Sequence, residues 1–158
     1  MKILIISDTH GKLDNFFKVL EIVEPIDLLV HCGDVEGQES EIEALSGTPC
    51  HMVSGNNDFF SFLDREKEFT IGGKHVFLTH GHYYHVSMGP ERIWEEAYSR
   101  GAQIVMYGHT HKPVVEERGA VTLVNPGSLS YPRQNGRRPS YILMELENGK
   151  ASYDIRYL

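Results

Sequence analysis

At 158 residues, with 41% hydrophobic and 23% charged side chains, the chain suits one domain, residues 1–158, with a buried core. Its net charge of −7 argues against a long nucleic-acid footprint, and no apolar run approaches the roughly 20 residues of a membrane span. Two cysteines, Cys32 and Cys50, form neither a disulfide framework nor a C-x-x-C pair, which points to a reducing cytoplasm.

The opening "KILIIS" (2–7) reads as a buried strand rather than a signal peptide, because Asp8 arrives before any cleavage-site pattern. Leu13, Phe16, Phe17, Leu20 and Val23 then recur at helical spacing, and Pro25 stops that helix. "DLLVHC" (27–32) is a second strand, a modest helix falls around 39–46, and "CHMVS" (50–54) is a third strand. "EFTI" and "KHVFLT", joined by Gly72–Gly73, form a hairpin. Pro90 opens a helix with Ile93, Trp94 and Ala97 on its apolar stripe.

"QIVMY" (103–107) is a fourth buried strand, and the remainder reads as β hairpins around "GA" and "ENGK". Strand–helix–strand units first and antiparallel hairpins last predict an α/β protein, a sandwich of two mixed sheets flanked by helices. The loop "SYPRQNGRRPS" (130–140) is the best candidate for a mobile segment. Trp94 and the Phe and Tyr residues follow core periodicities. His31, His51 and His75, inside or at the start of strands, are read as structural.

Five short motifs share one context, an apolar strand running into a polar, mostly glycine-bearing turn. They are Asp8-x-His10, Gly33-Asp34, Gly55-Asn56-Asn57-Asp58, His80-Gly81-His82 and Gly108-His109-x-His111. Singly, each has a plainer reading as a turn or a helix cap. Together they bring carboxylate, imidazole and amide oxygen to the carboxyl ends of strands, where open α/β sheets gather ligands. That donor set suits Mn, Fe or Zn rather than a thiolate zinc site. In an extended segment residues i and i+2 point the same way, which suits one shared ion or two ions about 3.5–4 Å apart. Asp34 or Asp8 could bridge such a pair.

The combined pattern D-x-H, GD, GN-x-D, HGH and GHTH, with "GHTHKP" and "NPGSLSYPR" near the C-terminus, resembles the calcineurin-like metallophosphoesterase superfamily. Within it, the chain is similar to the small bacterial and archaeal phosphodiesterase branch. The resemblance covers essentially the whole chain and implies the metallophosphoesterase fold. It also implies two divalent ions, manganese first, with iron, zinc or nickel as alternatives. Asp8, His10 and His111 would hold one ion, Asn56, His80 and His109 the other, and Asp34 would bridge them.

Water at such a site has its pKa lowered from about 15.7 to about 7, so hydroxide is available to attack a small phosphodiester in line. By formal counting, two ions less two carboxylates and a bridging hydroxide leave about +1, matching the single charge of a diester. The superfamily's fuller motif has a histidine after the ligand asparagine, able to protonate the leaving group. Here that position is Asn57, a departure common in this branch, and His82 is the nearest substitute by sequence. Arg133, Arg137 and Arg138 either clamp the far side of a phosphate ester or form a solvated basic loop.

The implied activity is therefore that of a phosphodiesterase on small phosphoesters. A phosphomonoesterase and a non-catalytic scaffold similar to a retromer subunit are the competing readings. A nuclease is disfavoured by the missing basic groove. Small members of this branch are often oligomeric, so a homo-oligomer is compatible with the resemblance.

Overall fold

The computed structural model describes residues 1–158. Its elements, in chain order, are β1 (Lys2–Ile6), α1 (Asp14–Val23), β2 (Leu28–His31), α2 (Glu39–Ser46) and β3 (Cys50–Met52), followed by β4 (Glu66–Ile71) and β5 (Lys74–Thr79). Then come α3 (Glu91–Ser99), β6 (Ile104–Met106), β7 (Pro113–Arg118), β8 (Val121–Pro126), β9 (Ser140–Glu147) and β10 (Lys150–Tyr157). Two short 3₁₀ turns, His82–Tyr84 and Val86–Met88, lie between β5 and α3, where periodicity offered no sign of them.

The strands make two five-stranded sheets, in the orders β10-β9-β1-β2-β3 and β4-β5-β6-β8-β7. β1, β2 and β3 are mutually parallel, as are β5, β6 and β8, while β4, β7, β9 and β10 pair antiparallel to their neighbours. The sheets are thus mixed and form an α/β sandwich, as the order of segments predicts.

The apolar runs of β1 and β2 are continuous because both faces of these strands are covered. In β1, Ile3 and Ile5 point between the sheets and meet a core that includes Val76, Leu78, Ile104 and Met106. Leu4 and Ile6, one residue out of phase, pack with Phe16, Val19, Leu20 and Val23 of α1. On the outer face of the second sheet, Phe77, Val105 and Leu123 pack with Ile93 and Ala97 of α3.

Several aromatic residues depart from the core assignment. Phe17 sits one position off the α1 stripe and is exposed, and Phe59, Phe60 and Phe62 project into solvent from the loop before β4. Local spacing cannot register this, since it counts apolar residues without knowing whether a neighbour arrives to cover them. Trp94 is half-buried, and its Nε1–H donates to the Arg118 carbonyl at 3.0 Å.

The parallel strands place their carboxyl ends on one rim. The loops after β1, β2 and β3 come from one sheet, and those after β5, β6 and β8 from the other. The rim between the sheets is therefore where the turn motifs meet. No helix is long and apolar enough to cross a membrane.

Candidate metal centre

All seven residues singled out as ligands converge there. Ligand atoms of Asp8, His10 and His111 lie within 4.8 Å of one another, and so do those of Asp8, Asp34 and His80. His10 Nε2 and His111 Nε2 face each other at 3.3 Å. Asn56 Oδ1 stands 3.0 Å from both His80 Nε2 and His109 Nδ1. The cluster thus has a His10/His111 end and an Asn56/His80/His109 end. Between them, Asp34 Oδ2 lies 3.4 Å from His80 Nε2 and 3.7 Å from His10 Nε2.

The outer nitrogens of His10, His80 and His111 are committed to other partners. His10 Nδ1–H donates to Glu36 Oε1 at 2.7 Å, His80 Nδ1–H to the Cys32 carbonyl at 2.7 Å, and His111 Nδ1–H to the Tyr131 carbonyl at 2.6 Å. In the neutral form, each acceptor fixes a tautomer whose Nε2 lone pair is aimed inward, as metal-ligating histidines require.

Asp8 is divided in the same way. Its Oδ2 accepts from Ser7 Oγ–H at 2.6 Å and from His109 N–H at 3.1 Å. Its Oδ1 is buried without a hydrogen-bond partner, 3.0 Å from His111 Nε2. A buried, unpartnered carboxylate oxygen among inward imidazole nitrogens is costly unless a cation joins them, so these residues fit a divalent metal.

Backbone conformation contributes as much as chemistry. Asp8, His10, Asp34, His109 and His111 all have φ between 47° and 68°, in the left-handed region that non-glycine residues seldom occupy. Such strain concentrates at functional sites. The ligand pairs are therefore not extended, as alternation along a strand would have them; they are tight turns beyond the ends of β1 and β6. His109 and His111 consequently diverge, one toward Asn56 and the other toward His10.

Close backbone approach demands glycine at position 55. A Cβ there would stand 2.1 Å from Asp34 Oδ1 and 2.5 Å from Asp34 N.

Electrostatically the cluster offsets itself. Burial would raise the Asp8 pKa, but His80, His10 and His111 outweigh it and hold the carboxyl well below its usual range. Burial likewise favours neutral His10, yet Asp8 and Glu36 push it up to about 9. Burial opposes the charge on Asp34 too, and hydrogen bonding to His80 lowers its pKa instead.

Asn57 and His82 occupy different positions. Asn57 Nδ2–H donates to Asp34 Oδ2 at 3.1 Å and its backbone N–H to Oδ1 at 2.9 Å, so it holds the central carboxylate. His82 lies beside the Asn56 end, its ring centre 5.4 Å from that of His80 and 6.1 Å from that of His109. Its Nδ1 is buried without a partner. Burial, then the neighbouring His80 and His109, lower its pKa to about 4.

Sequence reasoning passed over the braces behind this cluster. Asp58 accepts the backbone N–H groups of Val35, Glu36 and Gly55, tying the loops after β2 and β3 together. Ser128 Oγ–H donates to the Asp8 carbonyl, and Asn125 Nδ2–H to the Gly108 carbonyl and the Thr110 hydroxyl oxygen. His31, read as merely structural, links the Asp8 and Asp34 loops through Thr9 and Gly33. The available signal was a polar residue at the end of a buried strand, as in "NPGS", where an unpaired side chain would be penalised. His51 and His75 are structural, the first stacked on Phe69 and the second 2.8 Å from Glu68.

Residues 1–149 match the model of the calcineurin-like phosphoesterase superfamily domain. A Bacillus subtilis protein named probable metallophosphoesterase YsnB is 34% identical over 153 residues, spanning 96% of this chain and 88% of its own length. Phosphodiesterase YfcE of Escherichia coli K12 is 31% identical over 169 residues, spanning 92% of this chain and 88% of its own. Among solved structures, a conserved Streptococcus pneumoniae protein named as a predicted phosphoesterase aligns with a TM-score of 0.85 at 27% identity, covering 99% of this chain and 88% of that one.

Proposed function

Since the chain belongs to the calcineurin-like phosphoesterase superfamily, we propose that it is a metal-dependent phosphodiesterase of small phosphodiesters, working in the cytoplasm. Asp8, His10 and His111 hold one divalent ion in this reading, Asn56, His80 and His109 hold the second, and Asp34 lies between them. Manganese is the proposed ion, with iron, zinc and nickel as the alternatives the donor set admits. When bound, the ions supply Lewis acidity toward phosphate oxygens and lower the pKa of water at the site to about 7.

The observation that carries this reading is the inward-facing donor set, with the outer nitrogens of His10, His80 and His111 satisfied and Asp8 Oδ1 left for a cation. A non-catalytic scaffold gives no reason to maintain five ligand residues in left-handed conformations.

The protein's own groups also restrict the substrate. Asn57, with no titratable proton, holds Asp34 and offers no acid to the leaving oxygen. A diester whose leaving group departs as a stable anion, such as an aryl oxide, is therefore favoured over one releasing a sugar alkoxide. The net charge of −7 leaves a long nucleic acid disfavoured as a partner.

The test measures metal content together with hydrolysis of bis(p-nitrophenyl) phosphate and p-nitrophenyl phosphate, with apo protein and added Mn²⁺ in parallel. About two ions per chain and metal-restored turnover of the diester is the expected result. Faster turnover of the monoester would make the chain a phosphomonoesterase, and bound metal without turnover of either would make it a scaffold.

A further inference from the structure

The geometry points to an anion subsite beside the metal centre. We propose that Arg133 and Arg137 bind a second phosphate on the substrate, so that the preferred diesters carry one beyond the scissile group. This rests on the phosphodiesterase reading and narrows its substrate class.

A cavity of about 680 Å³ opens at the His10/His111 end of the cluster, and Glu36, Tyr131, Arg133 and Arg137 complete most of its lining. Four of the other six arginines are committed elsewhere. Arg100 pairs with Glu66, Glu68 and Glu96, Arg118 with Glu116 and Glu91, and Arg156 with Asp154. Arg138, adjacent to Arg137, turns away and donates to the carbonyls of Leu158 and Tyr157. Arg133 and Arg137 have neither a carboxylate within 4.0 Å nor a side-chain hydrogen bond, and both are exposed and line the cavity.

Arg133 is tied through its backbone to the metal centre, and Arg137 is held within the same loop. Arg133 N–H donates to the His111 carbonyl at 3.0 Å, and Arg137 N–H to that of Gln134 at 2.9 Å. Tyr131, whose carbonyl holds His111, sets its ring edge-on to His10 at 5.3 Å and carries Lys12 Nζ 4.5 Å from its ring centre. The loop that carries both arginines is thus anchored beside the ligands through Arg133 and Tyr131.

Charge indicates what they receive. With two ions, Asp8, Asp34 and a hydroxide, the metal centre would carry about +1, which one diester charge would offset. Glu36, already engaged by His10, offsets one of the two guanidinium charges. With Lys12 over the Tyr131 ring counted, a local excess of about +2 remains on a chain whose overall charge is −7. The planar donor fork of arginine matches phosphate oxygens in a bidentate manner, and the cavity has room for a phosphate beyond the scissile one.

Calorimetry on the Mn²⁺-loaded protein at one fixed salt concentration tests this, comparing thymidine 5′-monophosphate with thymidine 3′,5′-bisphosphate. The readout is the ratio of the two affinities in each protein. The bisphosphate should bind about tenfold tighter to the unaltered chain. Arg133→Ala/Arg137→Ala should bring the ratio to about one, and Arg133→Lys/Arg137→Lys should leave an intermediate value because charge remains without the fork. Equal affinities in the unaltered chain, or a preference that survives the double alanine variant, would overturn the subsite. Because binding of these products needs no turnover, a failure to hydrolyse bis(p-nitrophenyl) phosphate would count against the phosphodiesterase reading alone.

Discussion

His31→Gln separates the bracing of the site from its metal chemistry. His31 is fully buried at the end of β2, its Nε2–H donating to Thr9 Oγ1 at 3.0 Å and its Nδ1 accepting Gly33 N–H at 3.1 Å. Burial, only partly opposed by Asp8 and Asp58, pushes its pKa down to about 4. In the unfolded chain it returns to about 6.5, so between these values the unfolded state binds a proton that the folded state refuses. The contribution of His31 is therefore fully present above pH 6.5 and is lost as pH falls toward 4. The gap corresponds to about 3 kcal/mol.

Glutamine cannot titrate, and above pH 7 it costs about 1–2 kcal/mol through the weakened links to Thr9 and Gly33. The unaltered chain should thus be the more stable at pH 7.5 and the less stable near pH 4.5. Urea unfolding midpoints for both proteins, measured between those limits with a chelator present, give the comparison. Parallel stability curves would refute the reasoning, since they would mean that His31 takes up its proton in the folded state as readily as in the unfolded one.

Further outcomes follow from the same geometry. His80→Ala should abolish diester hydrolysis and release metal, as should Asp34→Ala; full activity with full metal content in His80→Ala would refute the two-ion assignment. Asn57→His should raise turnover of alkyl diesters relative to aryl ones by about tenfold, equivalent to about 1.4 kcal/mol of barrier, read as a ratio of kcat/KM values. Metal binding should release protons at pH 7, because His10 is pushed up to about 9 in the metal-free protein and must become neutral to act as a ligand. Calorimetry in buffers of different ionisation enthalpy counts those protons, and metal affinity should rise as pH increases toward 9. Gly55→Ala should cost about 1–3 kcal/mol and metal affinity together, since its Cβ would overlap Asp34; a chemical denaturation curve and a metal titration read the two effects.

Much of the site is legible along the chain because each ligand follows an apolar strand that is easily recognised. "KILII", "LLVH", "KHVFLT" and "IVM" appear as β1, β2, β5 and β6, and the carboxyl end of each is followed by its motif. Residue type then limits the chemistry: imidazoles, carboxylates and an amide, with no cysteine in any of the five motifs, define the donor set. The exposed Phe59, Phe60 and Phe62 show where such reading stops, because an apolar side chain does not report whether another segment covers it.

The amino-acid sequence by itself determined the alternation of strands and helices, the order of the five motifs and the kinds of ligand they bring. Only the tertiary structure decided how those ligands meet. It packed two sheets face to face, bent Asp8, His10, Asp34, His109 and His111 into left-handed turns, and turned Arg133 and Arg137 toward the same rim while Arg138 faces the C-terminus. The physical reason is sequence separation. His10 and His111 are 101 positions apart, yet their Nε2 atoms stand 3.3 Å from each other. Local propensity governs neighbouring residues, whereas a contact of that range is settled by the packing of the whole core.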